Sequence, residues 1–319
     1  MIKRLAIVVP CYNEEEALVD TNAVLNDYLK SLIKKKLVKA DSFILYVNDG
    51  SKDRTWEVIS EAHKQSKYVY GLNLAGNKGH QNALLAGLMQ VKDEVDMTVS
   101  IDADLQDDVN AIEEMIKKYY EGCDIVYGVR NDRTSDSFFK KFTAESFYKI
   151  MNWLGTKTVY NSADFRLMSN RALDELSLYS EQHLFLRGIA TELGFKTDCV
   201  YYKRNPRLKG ESKYPLKKMM AFAFDGVTSF SDKPLTLIMV MGFLAIFFSF
   251  LAVIYSVIRH FTGHTIQGWT SLFVSIWFLG GVQLVSLGII GKYVGKTFIE
   301  TKKRPRYYVE SYLNHDKKK

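Results

Sequence analysis

The chain has 319 residues, of which 47% are hydrophobic and 25% charged, and its formal net charge at pH 7 is +7. This length exceeds that of one small domain and fits a catalytic domain with an appendage. Cys11, Cys123 and Cys199 are scattered without pairing or metal-ligand spacing, which argues against a disulfide framework and fits a reducing compartment. The positive charge indicates an anionic partner. No nucleic-acid motif accompanies it, so a membrane surface is favoured.

From residue 5 to residue 129, short apolar runs alternate with segments of helical periodicity. The predicted strands cover residues 5–9, 43–47, 69–74, 97–101 and 125–129. The predicted helices cover residues 14–35, 54–65, 79–91 and 109–121. Alternation of this kind predicts an α/β fold with a mostly parallel sheet and helices on both faces.

The most informative stretch is 100–107, which begins at the end of a predicted strand. Asp102 and Asp104 face the same side of an extended segment, because side chains alternate along a strand. Two carboxylates so close repel each other unless a cation lies between them, and oxygen ligands suit Mg²⁺ or Mn²⁺. Open parallel sheets bind ligands at the carboxyl ends of their strands. We therefore expect a divalent cation here, with a solvated acidic loop as the alternative.

Four short motifs follow one another along this part of the chain. They are Pro10-Cys11-Tyr12-Asn13-Glu14, Asn48-Asp49-Gly50-Ser51, Gly79-His80-Gln81-Asn82-Ala83 and Asp102-Ala103-Asp104-Leu105-Gln106-Asp107. In order and spacing they resemble the family 2 inverting glycosyltransferases. Within that family the chain is similar to the polyprenyl-phosphate glycosyltransferases, the group of dolichol-phosphate mannose synthase and the bactoprenol glucosyltransferases. The resemblance covers nearly the whole chain and implies a nucleotide-diphospho-sugar transferase (GT-A) fold, and two long apolar stretches later in the sequence predict two transmembrane helices after it.

The resemblance also implies how the donor is bound. The implied nucleotide-sugar ligands are Pro10, Tyr12, Asn13, Glu14, Asp49, Lys78, Asp102 and Ala103, and the implied ligands of a Mg²⁺ or Mn²⁺ cofactor are Asp102, Asp104 and Gln106. The Asp49 carboxylate can accept a hydrogen bond from a base N–H or a ribose hydroxyl, although Asp and Gly also form ordinary turns. Lys78 and the amides near Gly79 can face a diphosphate at a helix N-terminus, or they can form a simple glycine-rich turn.

Basic residues beyond the sheet are expected to hold the acceptor. Arg130 and Arg133 follow a strand end, and in the resembling family basic residues of this loop hold the lipid phosphate. Arg207, Ser212 and Lys213 lie in a polar loop at 204–214, which either closes over the site, as in family members, or forms a charged linker at the membrane. In residues 136–154, apolar side chains recur at helical spacing with lysines between them, which predicts a basic amphipathic helix at an anionic lipid surface. A core-facing helix is the alternative.

Asp164 lies in the segment 161–167, and the resemblance assigns it as the base that acts on the acceptor. A phosphate monoester is already largely ionised at neutral pH, so Asp164 can instead orient a basic group or a sugar hydroxyl. Residues 182–187 lack the tryptophan of the Gln-x-x-Arg-Trp motif that processive relatives carry at this place. The sequence therefore argues against polymer synthesis.

Two apolar stretches, 235–258 and 271–290, are each long enough to cross a bilayer core of about 30 Å. Lys- and Arg-rich segments flank the pair, so the positive-inside rule predicts a cytoplasmic catalytic domain and a cytoplasmic tail. The apolar run at 5–9 is too short for a cleavable signal. Glycines of the second stretch predict helix contacts, and relatives form tetramers, so we expect a homo-oligomer.

The predicted organisation has four parts. They are a glycosyltransferase domain at 1–214, a juxtamembrane amphipathic helix at 215–233, a two-helix hairpin at 234–291 and a basic cytoplasmic tail at 292–319.

The resemblance implies a multi-pass enzyme of the cell membrane whose catalytic domain is cytoplasmic and which modifies cell-envelope glycans. It would transfer one hexose, glucose or N-acetylglucosamine, with inversion from a UDP-sugar to polyprenyl (undecaprenyl) phosphate. No nucleic-acid partner is expected. Two alternatives stay open: transfer to a non-isoprenoid lipid such as diacylglycerol, and a non-catalytic scaffold that partners a flippase. The intact Asp102 and Asp104 pair argues against the scaffold.

Overall fold

A computed structural model describes residues 1–131, 159, 161–182, 186–203, 233–261 and 268–315. The chain divides into two compact units. The first comprises Met1–Asn152, Lys157–Pro215 and Arg304–Lys319, and the second comprises Trp153–Thr156 and Leu216–Lys303. The amphipathic helix predicted at 136–154, the loop at 204–214 and nearly all of the juxtamembrane helix at 215–233 lie outside the described residues.

The first part of the chain alternates strand and helix as the sequence predicts. The strands are β1 (Leu5–Cys11), β2 (Phe43–Asn48), β3 (Val69–Leu74), β4 (Met97–Ser100) and β5 (Ile125–Arg130). The helices are α1 (Glu15–Lys34), α2 (Thr55–Gln65), α3 (His80–Val91) and α4 (Ala111–Tyr120). The first four strands are buried along their whole length, as expected for parallel strands covered on both faces.

The remaining elements complete the sheet and form the second unit. They are β6 (Ser162–Ser169), α5 (Asn170–Ser177), α6 (Leu186–Glu192), β7 (Thr197–Tyr202), α7 (Lys233–Phe261), α8 (Trp269–Thr301) and β8 (Val309–Leu313). Eight strands pair in the order β7-β5-β6-β4-β1-β2-β3-β8. Two of them, β6 and β8, run antiparallel to their neighbours, and the other strand pairs are parallel. The mostly parallel α/β sheet is confirmed.

Helix α1 covers one face of the sheet because its apolar residues recur at helical spacing. Leu18, Leu25, Leu29 and Leu32 are all buried. Helix α3 approaches the sheet closely at Gly87, where an added Cβ would lie 2.6 Å from Val8 Cγ1 and 2.7 Å from Val47 Cγ2. This close contact holds the N-terminus of α3 against the carboxyl edge of the sheet.

The second unit contains two long helices, α7 with 29 residues and α8 with 33. Among the residues that the structure describes, one helical segment, Phe278–Thr301, is long and apolar enough to cross a membrane. In the described part of α7, the apolar segment Lys233–Ala245 is shorter. The arrangement with two spans therefore stays a prediction.

After α8 the chain returns to the first unit and adds β8 to the edge of the sheet beside β3. This segment lies within residues 292–319, whose basic composition predicts a cytoplasmic tail and no particular secondary structure. Its residues are half-buried or exposed, so it lacks the apolar run by which the central strands were recognised.

Candidate active site

The sheet reverses its strand order between β1 and β4, and ligands of open α/β sheets bind at such a switch point. From β1 the chain proceeds outwards to β2 and β3, and β4 then pairs on the other side of β1. The loops after β1 and β4 therefore flank one crevice at the carboxyl edge. The former carries Tyr12, Asn13 and Glu14, and the latter carries Asp102 and Asp104.

Hydrogen bonds join the loop after β1 to the loop after β2. The backbone N–H of Asn13 donates to Ser51 Oγ at 3.0 Å, and the N–H of Lys52 donates to Asn13 Oδ1 at 2.9 Å. The N–H of Glu14 donates to Thr55 Oγ1 at 2.9 Å. Asn13 adopts a φ of 54°, which Asn tolerates better than most residues. The two loops thus form one edge of the crevice, and Tyr12 is exposed beside them.

Asp49 is buried, and its carboxylate organises the loop after β3. The backbone N–H groups of Lys78 and Gly79 donate to its two oxygens at 2.7 and 2.9 Å. Burial raises the pKa of Asp49, and these two hydrogen bonds oppose that rise. Asp49 therefore holds the turn that begins α3. Its role as a nucleotide ligand stays a prediction, as do those of Pro10 and Lys78.

The loop after β4 concentrates negative charge. Asp102 is half-buried, and burial together with the carboxylates of Asp164, Asp107 and Asp104 raises its pKa to about 6, although His80 opposes this. The backbone N–H of Gln106 donates to Asp104 Oδ1 at 3.2 Å, and Leu105 between them has a φ of 50°. This turn brings the carboxylates and the Gln106 side chain into one short loop.

The donor set of this loop fits a divalent cation that keeps open positions. Within the described ranges, no group of three or more His, Cys, Asp or Glu side chains could hold a metal. Mg²⁺, however, is usually held by one or two carboxylates together with water and substrate phosphates. Burial and, to a smaller extent, the neighbouring carboxylates raise the pKa of Asp102, and such a cation would neutralise the negative charge of these carboxylates. Asp102, Asp104 and Gln106 are the residues that could hold it.

Asp164 projects from β6 and is the centre of a buried ion-pair cluster. Arg166 Nη2 donates to its Oδ1 at 2.8 Å, and Arg187 donates from Nε at 3.2 Å and from Nη2 at 3.0 Å. Burial would raise the pKa of Asp164, but Arg187, His80 and Arg166 together hold it well below its usual value. Arg166 Nη1 also donates to the carbonyl of Leu186 at 2.9 Å, which ties α6 to the cluster.

His80, the first residue of α3, connects this cluster to the loop after β4. Its Nε2 lies 3.5 Å from Asp102 Oδ1 and 3.5 Å from Asp164 Oδ2. Burial would lower the pKa of His80, but the two carboxylates raise it. The side chain of Gln81 adds a contact to α6, since its Oε1 accepts a hydrogen bond from the N–H of Leu186 at 3.3 Å.

Arg130, at the end of β5, is held by the third aspartate of the acidic loop. Its Nη2 donates to Asp107 Oδ1 at 3.1 Å and its Nε donates to Tyr202 Oη at 3.2 Å, while Tyr202 also donates to Asp107. Asp107 is only 1% exposed, and its Oδ2 is buried without a hydrogen-bond partner in the part of the chain that the structure describes. The predicted lipid-phosphate ligand Arg130 is thus coupled to the loop that carries Asp102 and Asp104.

Several predicted site residues cannot be placed. Arg133, Arg207, Ser212 and Lys213 lie outside the described residues. Conversely, five residues of the site were not assigned a role from sequence: His80, Asp107, Arg166, Arg187 and Tyr202. The first two occur within the quoted motifs, which was a usable signal. Arg166 lies within the segment 161–167, two residues after Asp164, whereas only the tertiary fold brings Arg187 of α6 to Asp164.

Comparison with known proteins gives the family. The model of glycosyl transferase family 2 matches residues 6–177, which is more than half of the chain and includes the whole loop after β4. The chain belongs to glycosyl transferase family 2. With its mostly parallel sheet it has the GT-A fold that the motifs imply, and the resemblance to the polyprenyl-phosphate group is confirmed by the relatives.

The relatives match over almost their full lengths. The uncharacterised glycosyltransferase YkoT of Bacillus subtilis is 53% identical over 306 residues, which is 96% of this chain and 91% of the relative. The bactoprenol glucosyl transferase of Shigella phage SfX is 37% identical over 310 residues, which is 97% of this chain and 99% of the relative. Among solved structures, mannosyl-3-phosphoglycerate synthase of Rubrobacter xylanophilus is 15% identical with a TM-score of 0.48, covering 70% of this chain and 72% of that chain.

Proposed function

We propose that this glycosyltransferase transfers one hexose from a UDP-sugar to polyprenyl phosphate at the cytoplasmic face of the cell membrane. One observation carries the proposal: the loop after β4 bears several carboxylates and contacts two half-buried arginines, Arg130 directly and Arg187 through His80 and Asp164. Asp102 and Asp104 suit a cation that accompanies a diphosphate. Arg130 and Arg187 suit the phosphate of an acceptor.

On the donor side, Asp102, Asp104 and Gln106 would hold Mg²⁺ or Mn²⁺. The ion would supply positive charge to the diphosphate as it departs. The loops after β1 and β2, joined through Asn13 and Ser51, would receive the nucleotide, with Lys78 near the diphosphate.

On the acceptor side, a lipid phosphate oxygen forms the bond to the anomeric carbon while the bond from that carbon to the diphosphate breaks. The electron pair of the broken bond leaves with UDP, and the single displacement inverts the configuration. No enzyme nucleophile is needed, and the ionised phosphate has no proton to lose. Asp164, which is bonded to Arg166 and Arg187, acts by positioning these cations.

Membrane attachment makes this reaction fast, since it keeps the active site where the lipid phosphate lies. The helical segment Phe278–Thr301 supports attachment. We extend this to a two-helix hairpin with both flanks in the cytoplasm, because basic residues flank the apolar stretches. We further propose that the protein is a homo-oligomer, with the glycines of α8 at helix contacts.

The names of the relatives support the acceptor and the sugar. Several relatives between 36% and 37% identical over at least 96% of this chain are bactoprenol glucosyl transferases or a homologue of one. Glucose and a bactoprenol-type phosphate are therefore the first pair to test, with N-acetylglucosamine as the second sugar.

The test is a donor panel assayed against two acceptors. Purified protein with Mg²⁺ receives labelled UDP-glucose, UDP-N-acetylglucosamine or GDP-mannose, and either undecaprenyl phosphate or diacylglycerol. We expect an acid-labile phosphate-linked product from undecaprenyl phosphate and a UDP-sugar. An acid-stable glycolipid from diacylglycerol would instead support the non-isoprenoid alternative. Absence of nucleotide release with every pair, with no difference between the wild type and Asp104→Ala, would support the scaffold.

A further inference from the structure

A series of hydrogen bonds connects β8, the strand after α8, to the loops after β2 and β1. Strand β8 pairs with β3 at the edge of the sheet, with Ser311 opposite Asn73. In the same segment, the carbonyl of Tyr308 accepts a hydrogen bond from the N–H of Ala75 at 3.0 Å. The ring of Tyr308 lies 5.9 Å from Lys78 Nζ. The C-terminal segment therefore contacts the loop that carries Lys78.

A polar chain runs from β8 into the sheet. Asn73 Nδ2 donates to Glu310 Oε2 at 2.7 Å, and Asn48 Nδ2 donates to Asn73 Oδ1 at 2.7 Å. Both asparagines are buried, with exposed fractions of 9% and 3%. Two amides inside a sheet are costly unless they are paired, so their orientations are fixed by one another.

The chain continues to the loop after β1. The N–H of Ser51 donates to Asn48 Oδ1 at 3.3 Å, and the N–H of Asn13 donates to Ser51 Oγ at 3.0 Å. A carboxylate can only accept hydrogen bonds, whereas an amide has one accepting and one donating end. Glu310 therefore determines which end of Asn73 faces Asn48. That choice in turn leaves Asn48 Oδ1 available to the Ser51 amide.

We propose that Glu310, Asn73 and Asn48 are positioning residues for the donor nucleotide, and that the C-terminal segment thereby helps to form the donor site. The series of hydrogen bonds holds the loops after β1 and β2 in place through Ser51 and Asn13, which line the crevice. The inference rests on the proposed function for the identity of the ligand. The hydrogen-bond chain itself can also be tested without any nucleotide.

The test uses Glu310→Lys, with Glu310→Gln and Tyr312→Phe as controls. A lysine ammonium can only donate, so Asn73 would have to exchange the positions of its Oδ1 and Nδ2 atoms. Asn48 would then have to do the same, and its NH2 group would face the N–H of Ser51, so that two donors would meet. Glutamine can still accept from Asn73. Tyr312 contacts Glu94 through its hydroxyl, at 3.4 and 3.5 Å, and anchors the same strand outside this chain of hydrogen bonds. Glu310 is exposed, so all three proteins should fold, and thermal unfolding verifies this.

The first readout is the dissociation constant of UDP with Mg²⁺, measured by calorimetry with GDP in parallel. If these hydrogen bonds position the loops, Glu310→Lys should weaken UDP binding about threefold to tenfold, which corresponds to the usual contribution of one hydrogen bond. The dissociation constants of both controls should stay within about twofold of the wild-type value. Simple electrostatics predicts the opposite sign, because replacing a negative by a positive charge attracts an anion. Binding by Glu310→Lys that is equal to or tighter than wild type overturns the proposal.

The second readout is amide hydrogen exchange of peptides that cover Asn13 and Ser51 in the protein without nucleotide. We expect faster exchange in Glu310→Lys than in wild type and in the two controls. Unchanged exchange overturns the proposal. If the wild type binds neither UDP nor GDP, the proposed donor is wrong, and the exchange result still decides whether the tail holds these loops.

Discussion

Arg187 holds Asp164 with two nitrogens, Nε at 3.2 Å from Oδ1 and Nη2 at 3.0 Å from Oδ2. Arg166 adds a third hydrogen bond at 2.8 Å. Since these cations keep the pKa of Asp164 well below its usual range, the carboxylate has little tendency to accept a proton at neutral pH. A positioning role for Asp164 explains this geometry better than a role as general base.

This role predicts how Asp164→Asn affects the pH dependence of the rate. With saturating Mg²⁺, Asp164→Asn should lower kcat/KM about tenfold or more, because Arg187 loses a charged partner. The pH profile of the rate between about pH 6 and 8 should keep the wild-type shape. The measurement is the initial rate of lipid-linked sugar formation across that range. An acidic limb that is present in wild type and absent from Asp164→Asn would show instead that Asp164 is a base.

The same ion pairs predict a pH-dependent stability. The pKa of Asp164 is lower in the folded state than in the unfolded state, where it is about 3.9. The contribution of Asp164 to the free energy of unfolding is therefore present above the unfolded-state pKa and is lost as the pH falls through the folded-state pKa. Asp164→Asn should therefore lower the free energy of unfolding at pH 7 by about 3–5 kcal/mol, and by only about 0.3 kcal/mol less at pH 4, where the loss has just begun. Thermal unfolding at the two pH values measures this.

The control for that measurement is Asp27→Asn, whose carboxylate is 81% exposed in a surface pair with Lys30. It should change the unfolding temperature little at either pH. A deficit of Asp164→Asn that is absent at pH 7, or that grows between pH 7 and pH 4, would contradict the ion-pair interpretation.

Gly50 packs directly against the loop after β3, which gives a second prediction for the donor site. Its φ is 59°, and an added Cβ would lie 2.5 Å from the backbone nitrogen of Asn77. Gly50→Ala should therefore displace this loop, weaken UDP binding and lower the unfolding temperature. Gly76→Ala is the matched control, because its Cβ would meet no atom within 4 Å. Equal UDP affinities in the two variants would disprove this coupling.

Asp107 should govern the acceptor through Arg130. In Asp107→Asn the guanidinium loses its charged partner, so we expect a higher KM for polyprenyl phosphate. Asp108→Asn is the control, since Asp108 only caps the turn at Asn110, accepting from its N–H at 3.0 Å. Steady-state rates at varied acceptor concentration compare the two. The idea fails if Asp107→Asn and Asp108→Asn share one acceptor KM.

The central parallel strands could be predicted from sequence because they are short, mostly apolar runs. The predicted strand at 69–74 coincides with β3, and those at 5–9 and 43–47 end within two residues of β1 and β2. The carboxylate loop was recognisable for the same reason, since it follows the buried run of β4. In these places local pattern and tertiary burial agree.

The parts that were not predicted depend on contacts between distant residues. Strand β8 is polar and lies at an edge, so its partner β3, more than 230 residues earlier, is not visible in its sequence. Arg187 becomes a partner of Asp164 only when α6 docks on β6, whereas Arg166 lies two residues after Asp164 on the same strand. The motif of Asp49 predicts either a nucleotide ligand or a turn residue, and the hydrogen bonds that its carboxylate accepts from Lys78 and Gly79 come from a loop about 30 residues later, which the motif alone does not identify.

In the proposed reaction, Asp102 and Asp104 hold a cation that allows the diphosphate to leave as the lipid phosphate attacks. The most direct test is the rate of sugar-lipid formation from UDP-glucose and undecaprenyl phosphate in excess chelator, with Mg²⁺ then restored, for wild type and for the Asp102→Ala, Asp104→Ala double variant. We predict that chelator abolishes the wild-type rate, that Mg²⁺ restores it, and that the double variant stays inactive throughout. A full wild-type rate in chelator, or an active double variant, would contradict the account.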